Sequence, residues 1–239
     1  MTETMGILAY GAHVPYRRLD RAAISDVMGS GGGQGWRSVA SFDQDTTTMG
    51  VEAARQALAT TDLDPEALWF STVAPAYLDK TNATTVHAAL RLDAAASALD
   101  LGGAVRSSVG ALRSALTGPG RTLVVSSDLR VGLPTSADES LGGDAAAAVL
   151  TGSAADGPLL AEYLGGASAT AEFLDRWRTP GDVTSRTWEE RFGEEAYGPL
   201  VEQAWAAALA DIGLAADDID TAIVTGLHGR AVKRLGGRL

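Results

Sequence analysis

The stretch Ala98-Leu99-Asp100-Leu101-Gly102-Gly103-Ala104-Val105-Arg106-Ser107-Ser108 decides the fold. It reads as a short apolar strand over residues 96–101, a Gly-Gly turn, and a small-residue helix from Ser107 to about Leu116. A strand that turns sharply into a helix N-terminus suits a nucleophile, because amide donors and the helix dipole stabilise an anion there. At the tip, where such chemistry calls for Cys or Ser, this chain has Val105.

Outward from that turn, strands and helices alternate. Residues 6–15 form a first strand ending at Pro15, and Asp20 caps a helix over 21–28. The glycines of 29–35 leave a helix and enter a polar segment, so they read as a surface loop; a phosphate-binding loop would leave a strand. Residues 46–59 have helical apolar spacing, with Asp43 or Asp45 as the cap in preference to a metal ligand. Residues 68–73 form a strand, 74–81 a loop, and Asn82 or Thr84 opens a helix that runs to about Leu90. His87 on that helix reads as a packing residue. Residues 121–127 are apolar on both faces, as a buried central strand should be, and 142–150 with 158–165 read as a closing β-pair. The alternation predicts a layered α/β fold with helices on both faces of the sheet.

Residues 171–200 break the pattern with an aromatic- and Arg-rich stretch containing Phe173, Asp175, Trp177, Arg178, Arg191, Phe192 and Tyr197. An amphipathic helix over 199–212, a strand over 220–226 and a short helix with Arg230, Lys233 and Arg234 follow.

Composition narrows the function. With 30 acidic against 19 basic residues the net charge is −11, which argues against nucleic-acid binding, since that needs a basic face. The chain has no cysteine, so disulfides, thiolate metal sites and Cys nucleophiles are excluded within it. No apolar run approaches the ~18 residues of a membrane span, so a cytoplasmic protein is expected.

Four stretches together resemble the thiolase superfamily, specifically 3-hydroxy-3-methylglutaryl-CoA (HMG-CoA) synthase and its ketoacyl-ACP synthase III relatives. Residues 6–15 resemble the family's opening strand. Phe42-Asp43-Gln44-Asp45-Thr46-Thr47-Thr48-Met49 resembles its Asp-Glu-Asp-x-x-Thr-Met segment, and Gly143-Asp144-Ala145-Ala146-Ala147-Ala148-Val149 its Gly-Asp-Gly-Ala-x-Ala-Val strand entry. The aromatic stretch resembles an insertion of the HMG-CoA synthase branch. The resemblance implies a thiolase-like βαβαβαββ layered half-fold, 1–168, an insertion over 169–200, and the start of a second, truncated half at 201–239. Since the family runs well beyond 300 residues, the chain is expected to be a fragment or to need a partner for the remainder. The exposed apolar face that results predicts aggregation or obligate association.

The family condenses acyl thioesters with a Cys, a general-base Glu and a His. Their positions fall here on Val105, Val73 (Thr72 in the neighbouring register) and Thr225, with His228 at the family's Asn position. Ser107, with His228 as activator, is a candidate substitute nucleophile, although it lies two residues past the tip. Tyr77, beside Asp79 and Lys80, is a second candidate by resemblance to thiolase-fold aldolases that use tyrosines. Arg106 is a candidate contact for a CoA phosphate. No metal and no tightly bound cofactor are implied; a coenzyme A thioester is the implied ligand.

The resemblance leads first to an acyl-CoA-binding or structural subunit that has lost the condensing residues. It would act as a homodimer, through the strand at 124–127 and the helices beside it, or in a complex with another thiolase-fold or OB-fold protein. The alternative is an active acyl-CoA acyltransferase or aldolase using unusual residues.

Overall fold

The computed structural model describes residues 3–238, which divide into two compact units, the first ending at Tyr163 and the second beginning at Leu164. The first unit follows the order β1 (Met5–His13), β2 (Arg18–Asp20), α1 (Arg21–Met28), β3 (Trp36–Ser38), α2 (Thr46–Leu58), β4 (Ala67–Thr72), α3 (Ala83–Leu90), β5 (Ser97–Gly102), α4 (Arg106–Thr117), β6 (Thr122–Asp128), α5 (Ala137–Leu141), β7 (Ala145–Ser153) and β8 (Ala161–Glu162).

Six of these strands form one sheet in the order β5-β4-β6-β7-β1-β8. β4 pairs in parallel with both β5 and β6; β7 pairs antiparallel with β6 and β1. Both faces of β4 and β6 are covered: Leu68, Phe70, Leu123 and Val125 are wholly shielded on one face, and Val124 is buried on the other with Trp69 packed beside it. The expected β-pair between 142–150 and 158–165 does not exist. β7 and β8 both bond to β1, which lies between them. A long first strand with two free edges accepts a neighbour on each side, so sequence proximity of the last two strands misleads.

Helix α2 starts where its chemistry directs. The Asp45 carboxylate accepts from the Thr48 amide at 2.8 Å and the Thr48 hydroxyl bonds back to the Asp45 backbone, a reciprocal cap. The cap is therefore Asp45, not Asp43. Met49, Val51, Ala53, Ala54 and Ala57 then bury against Phe70, Leu123, Val125 and Leu150. The approach is close enough to require Gly11 on β1, where a Cβ would stand 2.4 Å from the Ala53 carbonyl oxygen. On the opposite face α4 sets Ala111 and Ala115 on Val124, with Trp69 and Leu101 beside them. Helices thus cover both faces, as expected.

One buried ion pair fastens the loops at the carboxyl end of β6. Arg37 on β3 meets Asp144 at 3.1 Å with both side chains almost fully buried. Arg37 also donates to the carbonyls of Arg130, Asp138 and Glu139, and Asp144 accepts from the Ala40 and Arg130 amides. Every polar atom of the pair that faces the interior is engaged, so the Gly143-Asp144-Ala145 motif is a structural clamp. The cavity of about 310 Å3 beside the pair is lined by Leu19, Val39, Leu129 and Val131.

The second unit holds a small ribbon of β9 (Arg176–Trp177) and β10 (Arg186–Thr187), then α6 (Glu190–Ile212), a 3-10 turn and α7 (Gly229–Gly236). Helix α6 begins nine residues before the expected Pro199, which it carries inside. The strand expected over 220–226 is irregular backbone. A β-forming run needs a neighbour to satisfy its amides, and among the described residues none pairs with it.

The topology leaves no free edge at residues 124–127 for the strand part of the expected association. Those residues lie in β6, hydrogen-bonded on both sides by β4 and β7. Among the described residues β5 is the free edge on that side of the sheet.

Removing one partner of the clamp strands the other: Asp144→Ala should destabilise the protein by ~3–5 kcal/mol in denaturant titration. A second, acid-sensitive contribution comes from Asp156. The Ser153 amide and the Arg121 guanidinium at 2.8 Å hold its carboxyl below the usual value. A depressed carboxylate stabilises the fold above its unfolded value, about 3.9, and loses that contribution as pH falls through the folded value. Melts of the wild type should therefore fall more steeply below about pH 4 than those of Asp156→Asn.

Candidate functional site

The turn after β5 has the shape its sequence promises. Gly103 adopts φ +97°, a left-handed conformation that favours glycine. Val105 follows with φ −55° and ψ −36° as the residue that caps α4, and it offers no side-chain cap. It is 38% exposed. Arg106, also exposed, opens the helix.

The two serines of the first turn have structural partners. The Ser107 hydroxyl donates to the Gly102 carbonyl at 2.9 Å, closing the elbow. Ser108 reaches the buried Ser71 hydroxyl on β4 at 3.1 Å. Ser107 therefore turns back toward β5, away from the tip.

Asp100 organises the neighbouring loop. Its Oδ2 accepts from the Asn82 amide at 2.7 Å and the Asn82 side chain at 3.0 Å, and its Oδ1 accepts from the Ala83 amide at 2.7 Å. A carboxylate on β5 thus caps α3, whose own Asn82 makes no side-chain cap. Asn82 is free to bind the loop instead: its Oδ1 accepts from the Tyr77 amide, and its Nδ2 donates to the carbonyls of Tyr77 and Lys80. Tyr77 projects 53% exposed, with Lys80 Nζ 5.2 Å from its ring centroid. Lys80 also donates to Thr85 at 2.9 Å, and Asp79 between them holds φ +60°.

Val73, at the expected general-base position, contributes backbone. Its amide donates to Asp128 Oδ1 at 2.8 Å, and the Thr72 hydroxyl donates to the same oxygen at 3.2 Å. Between the two loops lies a cavity of about 210 Å3, lined by Phe70, Thr72, Tyr77, Lys80, Asp100 and Gly103 among others. It sits at the carboxyl ends of β4 and β5, whose following helices pack on opposite faces of the sheet, the crevice where open α/β sheets bind ligands.

The first unit thus brings Val73, Tyr77, Val105, Arg106 and Ser107 to one end of its sheet. Thr225 and His228 belong to the second unit. Thr225 is exposed and outside any regular element. His228 caps α7, its Nδ1 accepting from the Ala231 amide at 3.2 Å. The Tyr197 ring lies 6.2 Å away and packs edge-on against Phe173. Its hydroxyl donates to Asp175 at 2.8 Å. Burial, reinforced by that bond and the nearby negative charge, pushes the phenol up to about 12. The aromatic insertion is therefore a small core of its own.

Asp100, Asn82, Asp128 and Asp175 are absent from the candidates drawn from sequence. Asp100 left a signal, a lone acid between Leu99 and Leu101 in a strand.

A six-stranded sheet in this order, with a strand–turn–helix elbow between its halves of helix packing, defines a thiolase-fold protein. The fold matches solved structures. An HMG-CoA synthase complexed with CoA superposes with a TM-score of 0.78 at 20% identity over 90% of this chain and 58% of that one. The 3-oxoacyl-(acyl carrier protein) synthase III of Pseudomonas aeruginosa gives 0.74 at 19% over 90% and 73%. Curated relatives are nearer in sequence. The hydroxymethylglutaryl-CoA synthase of Aeropyrum pernix is 31% identical over 97% of this chain and 68% of its own. That of Pyrococcus furiosus is 29% identical over 92% and 65%. The chain belongs to the HMG-CoA synthase family, and it spans about two thirds of the length of these relatives. No family model matches it.

Replacing Asp100 with Ala removes three bonds and uncaps α3 across the cavity. The expected cost is about 1–2 kcal/mol in a thermal or denaturant melt. Proteolysis within residues 74–82 should accelerate in the same variant.

Proposed function

We propose that the chain is an acyl-CoA-binding or structural thiolase-fold subunit that does not carry out thiolate condensation. The observation that carries this reading is Val105 at the cap of α4, in a chain with no cysteine. Val73 and Thr225 at the other two positions support it. A thioester-forming nucleophile must be ionisable or activated by a base, and an isopropyl side chain is neither. The ligand would be a coenzyme A thioester; the related HMG-CoA synthase structure with CoA supports that class.

The subunit would associate in the cytoplasm with a second copy, or with another thiolase-fold or OB-fold protein. The β5 edge suits strand addition, since it pairs only with β4 among the described residues and presents Leu99 at 54% exposure.

A second reading, an active acyl-CoA acyltransferase or aldolase, is favoured by membership of a family of synthases and by Tyr77 beside the cavity. Incubation with labelled acetyl-CoA separates the two. The first reading predicts saturable CoA binding in equilibrium dialysis with no label on the denatured protein and no CoA released. Label that survives denaturation, or stoichiometric CoA release, would overturn it.

A further inference from the structure

A β-forming run in the second unit has no partner. Thr221-Ala222-Ile223-Val224-Thr225 lies in irregular backbone between the 3-10 turn at Ala216–Asp218 and α7. Four of its five residues are β-branched, which favours extended backbone. Among the described residues no strand pairs with it, and its amides and carbonyls make no main-chain hydrogen bond. Every residue from Thr221 to Leu227 except Val224 is exposed, Ile223 at 83%. Exposed, unpaired main chain with β-forming side chains is a template for strand addition.

We propose that two copies of this chain pair antiparallel through residues 221–225. Two features select a second copy as the added strand. The run is nearly palindromic. An antiparallel pair centred on Ile223 sets Thr221 opposite Thr225, Ala222 opposite Val224 and Ile223 opposite itself. Each is a favourable cross-strand pair, hydroxyl against hydroxyl and aliphatic against aliphatic. Because side chains alternate, Ile223 and the threonines share one face of the ribbon and Ala222 with Val224 the other. Charge selects the same direction. Asp217, Asp218 and Asp220 precede the run, and Arg230, Lys233 and Arg234 follow it. Antiparallel pairing lays the acidic end of each copy beside the basic end of the other, whereas parallel pairing sets like beside like. Arg234 is already bridged to Glu194, so the sign of the two ends steers the pairing and no single new bridge is required. The contact is separate from the β5 edge and independent of what the cavity holds. A two-stranded ribbon of this length is marginal in water, and the interface belongs with the small, transient ones.

Hydrogen exchange of the full chain at rising protein concentration tests this. Between about 10 µM and about 1 mM, a range that spans a weak dimer, protection within 221–225 should rise roughly fivefold. It should rise at alternate amides, since every second residue of an antiparallel strand directs its amide to the partner. Ile223→Lys sets like charges opposite each other on the axis and should abolish the rise. Leu99→Lys, on the β5 edge, should leave it. Protection that stays flat with concentration, or that rises equally in Ile223→Lys, overturns the proposal. A chain without cysteine allows a second reading. Under mild oxidation Ile223→Cys should form a disulfide-linked dimer. Val224→Cys, whose two copies stand diagonally across the axis and out of bonding reach, should do so at least about tenfold more slowly. Equal rates for the two variants contradict the pairing.

Discussion

The three hydrogen bonds that Asp100 accepts from Asn82 and Ala83 are the contact on which the site depends. They join the carboxyl end of β5 to the amino end of α3 and so fix the two loops that bound the cavity. Two of these bonds satisfy backbone amides at the start of α3 that have no partner within the helix. Releasing Asn82 from capping lets its side chain bind the Tyr77–Lys80 loop from within. A single carboxylate on an edge strand thereby determines where Tyr77 and Lys80 stand. Asp128 does the equivalent work one strand over, fixing Thr72 and the Val73 amide. The loops that bound the cavity are thus held by carboxylates engaged in structural hydrogen bonds.

The elbow beside those loops is held independently of the residue at its tip. Gly103 keeps its left-handed turn, α4 starts at Arg106, and the Ser107 hydroxyl secures the Gly102 carbonyl. At the tip stands Val105, whose side chain cannot serve as a nucleophile. The stability of the elbow comes from backbone geometry and from Ser107, so the residue at the tip can vary without disturbing it.

Much of this was legible in the sequence where local rules and packing agree. Asp45 with Thr48, and the buried Met49, Ala53 and Ala57 face, were readable because capping and helical period act over a few residues. The elbow was readable for the same reason. The order of strands was not: β1 accepts both β7 and β8, a choice made by long-range edges that no local pattern encodes. Residues 220–226 failed because strand propensity is realised only beside a partner. The acids Asp100 and Asp144 were visible as residues but not as clamps, since their partners lie 18 and 107 positions away. Arg37 lies outside the stretches the sequence singles out, and only the fold shows that it holds Asp144.

The central claim is that the β5–α4 turn still favours an anion at its tip although none is present. Placing a thiol there measures this directly: the ionisation of the sole cysteine in Val105→Cys, followed by the pH dependence of its alkylation. The helix N-terminus predicts a thiol pKa clearly below the ordinary value of about 8.5. A value at or above it would contradict the account.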